Sequence, residues 1–132
     1  MAVKAAVLGE HPNFRLSNQA VDKYTYDSGA QRDDQDGKGR YDLLPPEALR
    51  QAALRYEAGA DHYGDRNWEK GIPLSRYFSP LIRHLNQWAE GHADEAHLGA
   101  AIFNLMCLIA TEERALNDEL PEELIDMGPN TP

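Results

Sequence analysis

The stretch that most constrains this chain is bounded by two prolines and a glycine: Pro45-Pro46 at one end and Gly64 at the other. Proline has no N–H to waste in a first helical turn, and glycine accepts the left-handed conformation that ends a helix. Between them Leu49, Ala52, Ala53, Tyr56, Ala60 and Tyr63 recur at helical spacing as one apolar stripe, and Glu47 lies in the first turn, where the helix dipole favours an acid. The spacing predicts a helix over Pro46–Tyr63. The loop that follows, Asp65-Arg66-Asn67-Trp68, sets a guanidinium, an amide and an indole side by side. It reads either as a surface for something planar and charged or as a solvated connector with one anchoring tryptophan.

Two more helices are expected. Ser79-Pro80 is a good start for one that ends at Gly91, with Leu81, Ile82, Leu85, Trp88 and Ala89 on one face. Asp94 is a natural cap for the other, which runs to about Leu116 with Leu98, Ala101, Ile102, Leu105, Leu108 and Ile109 as its stripe. The link between them is short, so they should pair antiparallel. Residues equidistant from the turn then meet: His84 beside His97 and Ala101, with Asn104 a turn further on.

Residues 1–36 carry no sustained period. Val3–Leu8 reads as a short strand or a frayed helix, His11-Pro12-Asn13 as a break, Tyr24–Tyr26 as a very short strand, and Gln31–Gly39 as a flexible or ligand-ordered loop. The tail, residues 117–132, is acidic and proline-bearing; a short turn at Pro121–Ile125 followed by fraying is expected. The organisation expected is an irregular segment (1–36), an all-α helical bundle (37–116), the part that would carry any catalytic site, and an acidic tail (117–132). A bundle this small often completes its core by oligomerising. Trp88, Leu105, Met106 and Leu108 offer a partner apolar surface.

The net charge of −9 argues against DNA and against anionic membrane as partners. A local basic pocket for a phosphorylated small molecule remains open. Cys107 is the only cysteine, so no disulfide forms within the chain, and it reads as a core residue. No membrane span is expected: the longest apolar run, Ala100–Ala110, is interrupted by Asn104. The expected compartment is the cytoplasm.

Three constellations carry possible chemistry. His84, Asp94, His97 and Asn104 collect at the helical seam, where two imidazoles and a carboxylate can bind a divalent metal or simply line the seam. Glu57 and Asp61 lie one turn apart and repel by a few tenths of a kcal/mol, so they occupy a solvated face or hold Mg²⁺; Glu47 is a third carboxylate. Arg32, Lys38, Arg40, Arg66, Lys70, Arg76 and Arg83 concentrate between positions 32 and 83 of an acidic chain and suit phosphate oxygens. Gly37-Lys38-Gly39 is not a P-loop, and no dinucleotide-binding fingerprint is present.

Gly29–Asp33, Gly37–Pro45, Tyr63–Gly71 and Arg83-His84-Leu85 with Trp88 and Gly91, taken in order, resemble the phage dATP/dGTP diphosphohydrolase family. This is a MazG-like branch of the all-α nucleoside triphosphate pyrophosphohydrolases, and the chain looks similar to the MazZ-type enzymes of phages that replace adenine by 2-aminoadenine. The resemblance covers roughly residues 26–110. It implies a MazG-like helical bundle, assembled as a homodimer or dimer of dimers. It implies cleavage of purine deoxynucleoside triphosphates, dGTP and dATP, to monophosphate and pyrophosphate with Mg²⁺, Mn²⁺ or Co²⁺. With the constellations above, the expected metal ligands are Glu47, Glu57, Asp61, Asp94 and His97, and His84 or Glu57 is the base. The expected substrate contacts are Arg32, Lys38, Arg40, Arg66, Asn67, Trp68, Lys70, Arg83 and Asn104. The chain departs from better-known relatives, which carry clustered glutamates on one helix and Glu-x-x-Asp on the next. That departure favours a rival reading, a non-enzymatic helical module that senses nucleotide or binds a partner, whereas the concentration of Lys, Arg and His near the helical core favours the enzyme.

Overall fold

The computed structural model describes residues 23–132, so the expectations for Val3–Leu8 and His11–Asn13 lie outside the described residues. A small antiparallel hairpin comes first: β1 (Lys23–Thr25) pairs with β2 (Gln31–Asp33) so that Tyr24 faces Arg32. The loop expected over Gln31–Gly39 therefore begins as a strand, because a turn closed by Tyr26 and Ala30 folds it back on β1. Three helices follow: α1 (Pro46–Tyr63), α2 (Ser75–Ala89) and α3 (His97–Leu116), with short 3-10 turns at Tyr41–Leu43, Asn67–Lys70 and Glu122–Leu124. The fold is all-α apart from the hairpin, as the resemblance implies.

α1 has the expected bounds. Pro46 occupies its first turn, and Gly64, at φ +91°, gives its N–H to Ala60 at 2.8 Å. Its packed side is narrower than the apolar stripe. Ala52 is buried and Tyr56, Gly59 and Ala60 are half-buried, whereas Leu49 and Tyr63 are exposed. Small residues bring α1 close to α3: a methyl on Gly99 would stand 3.0 Å from the Gln51 side chain and 3.3 Å from its carbonyl oxygen.

α2 begins one turn before Ser79-Pro80, and Pro80 lies inside it. The tail causes this. Asp126 accepts from the Ser75 backbone N–H at 2.9 Å and from the Ser75 hydroxyl at 2.5 Å, and Leu74 donates to the Leu124 carbonyl. A carboxylate at a helix start satisfies free N–H groups and complements the dipole. Here it comes from far along the chain, so Pro80 loses one bond in a helix that is capped elsewhere. Asp94 likewise does not cap α3; no side chain does, and its carboxylate goes to His97.

The tail does not fray. Ile125 is buried with Leu74, Ala115 and Leu116, and Leu108, Leu120 and Met127 pack around them. Leu108 thus faces this core and is withdrawn from the expected partner surface. Gly71 (φ +100°) seals the contact, since a methyl there would stand 2.8 Å from Leu124. Eight large apolar residues of α2 and α3 point outward instead. Phe78, Ile82, Leu85 and Trp88 of α2, and Leu98, Leu105, Met106 and Ile109 of α3, are each 40–55 % exposed on the single chain. No helix among the described residues is long and apolar enough to cross a membrane.

Candidate functional site

The antiparallel pairing of α2 and α3 buries two imidazoles against each other. His84 and His97 are 5 % and 3 % exposed, and their Nδ1 atoms are 3.0 Å apart. The Nε2–H of His97 donates to Asp94 at 2.8 Å, which leaves its Nδ1 as a lone pair toward His84. Glu95 closes the group: its Oε1 is 3.3 Å from His84 Nδ1, 3.9 Å from His97 Nδ1 and 3.9 Å from the Arg55 guanidinium on α1. Burial lowers the pKa of His84 and favours its neutral form; the bond from His97 lowers that of Asp94 and keeps it ionised.

His84, Glu95 and His97 are the one such group of three among the described residues whose ligand atoms converge within 4.8 Å. The donor set fits a divalent cation. Metal–ligand bonds of about 2.0–2.2 Å put neighbouring ligand atoms roughly 3 Å apart; two of the three separations here are 3.0 and 3.3 Å, and the third, His97 to Glu95, is longer at 3.9 Å. Asp94 stands behind His97 as an orienting carboxylate does. Two nitrogens and one oxygen suit Mn²⁺ or Co²⁺ better than Mg²⁺, which prefers oxygen. Glu95 is 41 % exposed, so the group opens to solvent on one side.

The other expected carboxylates are elsewhere. At 100° per residue Glu57 and Asp61 lie about 140° and 180° around α1 from the buried Ala52, on the exposed face. Glu47 is exposed in the first turn. None of them joins the histidines. Asn104 is buried in the seam, and its amide donates to the Ala100 carbonyl at 2.8 Å.

A second feature lies farther along α1 and α3. A pocket of about 130 Å³ is walled by Tyr56, Gly59, Tyr63, Trp68, Tyr77 and Phe103, with Arg66 and Asn67 also lining it. Tyr56 packs on Phe103 at 4.6 Å, and its hydroxyl is 3.3 Å from Cys107 Sγ. The Arg114 guanidinium sits 4.7 Å over the Trp68 ring. Arg66 adopts a left-handed conformation (φ +59°) and bonds Glu69 at 3.0 Å. Three of the four residues of the loop Asp65–Trp68 line this cavity.

The basic residues do not converge on one point. Arg32 and Lys38 share an open hollow beside the hairpin. Arg40 lines another and is held by a bidentate pair with Asp42 at 2.7 and 2.9 Å. Lys70 is exposed at the end of its 3-10 turn, and Arg83 lines a shallow hollow on α2.

The family described as dATP/dGTP diphosphohydrolase, N-terminal, matches residues 28–119. The chain belongs to this family. No curated protein and no solved structure matches it. The matched segment begins in the hairpin turn and ends just past α3, so it includes the imidazole–carboxylate group, the aromatic pocket and the basic hollows. The docked tail beyond residue 119 lies outside it.

Sequence reasoning passes over Glu95 and Arg55 as site residues, and Tyr77 and Phe103 as pocket walls. Glu95 precedes α3 in a stretch where no helical period applies. The pairing rule that brings His84 to His97 is the signal that points nearest to it.

Proposed function

We propose that the chain hydrolyses the purine deoxynucleoside triphosphates dATP and dGTP to monophosphate and pyrophosphate, using a divalent metal held by His84, Glu95 and His97. The observation that carries this is the buried pair of imidazoles with Glu95 converging on them and Asp94 behind, in a chain of this family. The bound metal would neutralise the polyphosphate and lower the pKa of an attacking water. The chain's own residues do the rest. Asp94 fixes the His97 ring and its tautomer. Burial keeps His84 neutral and able to bind metal or take a proton. Arg55 holds Glu95 from α1. Arg32 and Lys38, which carry no ion pair among the described residues, are the cations best placed to meet phosphate, since Arg40 is engaged by Asp42 and Arg66 by Glu69. Glu47, Glu57 and Asp61 take no part in this metal set.

The working unit proposed is a homodimer or larger, acting in the cytoplasm of a phage host on the nucleotide pool that feeds 2-aminoadenine synthesis. Support for the oligomer is the set of large apolar side chains that α2 and α3 leave uncovered on the single chain. Anion-exchange analysis of products from dGTP and dATP with Mn²⁺, Co²⁺ or Mg²⁺ tests the reaction. Monophosphate with pyrophosphate is expected, and chelator should abolish it. Orthophosphate with a diphosphate, or no turnover with any metal, overturns the proposal.

A further inference from the structure

We infer that the aromatic pocket between α1, Phe103 and the Asn67–Lys70 turn is the base subsite of this enzyme, that Gly59 sets its width, and that Asn67 meets the base edge. This rests on the reading that the chain binds a purine nucleotide. A pocket of about 130 Å³ is well below the ~300 Å³ at which whole drug-sized ligands are usually enclosed. It has room for one flat ring system, with sugar and phosphates left outside. Its walls are the faces and edges of Tyr56, Trp68, Tyr77 and Phe103, which attract a heteroaromatic ring by stacking.

The pocket is also placed for the reaction. Arg55 and Gly59 are one turn apart on the same side of α1, the first pairing with Glu95 and the second lining the pocket. One turn is about 5.4 Å along the axis, a step comparable to the deoxyribose that separates a base from its first phosphate. Pocket and imidazole–carboxylate group are thus both reached from one side of α1, and the assignment puts the phosphates on the Arg55 side of the base.

The lining also predicts which bases enter. Stacking surface favours a purine over a pyrimidine. Asn67 brings to the pocket an amide that makes no hydrogen bond among the described residues. An amide offers one acceptor and two donors, and it turns over at little cost. It can answer a 6-amino or a 6-oxo edge, so the pocket selects purines without separating adenine from guanine. Gly59 gives the handle. Its backbone is ordinary helix, and a methyl added there stands 3.8 Å from Phe103, normal contact distance. Larger side chains at this position grow among the pocket walls.

The experiment measures binding of dAMP, dGMP, dCMP and dTMP by calorimetry in chelator, using the full chain, and compares wild type with Gly59→Leu, Gly59→Ala and Asn67→Leu. Equal phosphate content makes differences among the four report the base. In the wild type dAMP and dGMP should bind within about fivefold of each other, and the pyrimidines about tenfold or more weaker. Gly59→Leu should weaken purine binding at least about tenfold and raise KM for dGTP, while Tm holds or rises because glycine is the poorer helix former. Gly59→Ala should do the same to a lesser degree. Asn67→Leu should weaken both purines without opening a preference for pyrimidines. Pyrimidines bound as well as purines, or purine affinity and KM unchanged in a folded Gly59→Leu, would overturn the assignment. A protein that binds purine monophosphates this way yet releases no pyrophosphate would overturn the reaction and leave the pocket standing; active enzyme indifferent to Gly59→Leu would do the reverse.

Discussion

Glu95→Gln is the substitution that separates the metal set proposed here from a carboxylate site on α1. Among the described residues Glu95 contributes the one negative charge that faces both imidazoles, with its Oε1 at 3.3 and 3.9 Å from their Nδ1 atoms. Glutamine keeps its shape and removes the charge. Losing an outer partner of a metal ligand typically costs 10–100-fold in metal affinity. Glu95 is placed as a direct donor, so its loss should reach or exceed the upper end of that range, a shift of about 100-fold in half-saturating Mn²⁺. Asp94→Asn, which touches only His97 Nε2, should fall inside the range. Folding should report little of either change. Glu95 and Asp94 are 41 % and 70 % exposed, and the Arg55 pair is long at 3.9 Å. An exposed pair such as Arg55–Glu95 contributes about 0–1 kcal/mol.

The assay is pyrophosphate release from dGTP over a Mn²⁺ titration, with Tm measured on the same samples. Glu95→Gln should recover most of its kcat at high metal, because the imidazoles and Asp94 remain. Glu57→Gln is the control arm, since Glu57 lies on the exposed side of α1 away from the histidines. A metal curve displaced by Glu57→Gln and untouched by Glu95→Gln would refute the reasoning and return the site to the Glu57–Asp61 pair.

Ile125→Ala should cost about 3 kcal/mol, within the usual range for emptying a fully buried aliphatic site, because Ile125 is 1 % exposed among Leu74, Ala115 and Leu116. For 132 residues that is a fall in Tm of about 11 °C; a shift under about 3 °C by differential scanning calorimetry would mean the tail is not docked in solution. Ser75 bonds hold the Asp126 carboxyl below its usual pKa of 3.8, so this group stabilises the fold above that pH and the contribution fades as pH falls through the lowered value. Asp126→Asn should therefore lower Tm at pH 7 and converge on wild type in strong acid; a constant Tm difference across that pH range would exclude the linkage. Leu85→Glu with Leu105→Glu, both on exposed apolar faces, should convert the oligomer to monomer by light scattering, and a wild type that already runs as monomer at micromolar concentration would remove the proposed assembly.

How much of this was legible in the sequence follows the distance over which each signal acts. α1 is legible to the residue because both its ends are written locally, in Pro45-Pro46 and Gly64. The meeting of His84 and His97 is legible because a short link and a helical period together determine which residues are level across a hairpin of helices. The start of α2 is not, because the group that caps Ser75 is Asp126, fifty-one positions on. For the same reason Ile125 reads as part of a solvated acidic tail until the groove that receives it, from Leu74 to Leu116, has been built. The apolar stripes carry a different ambiguity. Period locates a face but not what covers it, so Ile82 and Leu85 are apolar at helical spacing and still face outward in the single chain. Glu95 sits between these cases. It is too far from the start of α3 for the helical period to orient it and close enough to His97 that one backbone bond, from the His97 N–H to the Glu95 carbonyl, fixes its position. A rule that reads only helices therefore finds both imidazoles and misses the carboxylate between them. The local turn before α3 turns the imidazole pair into a three-donor set, and it is the first place to look for change between relatives that use different metals.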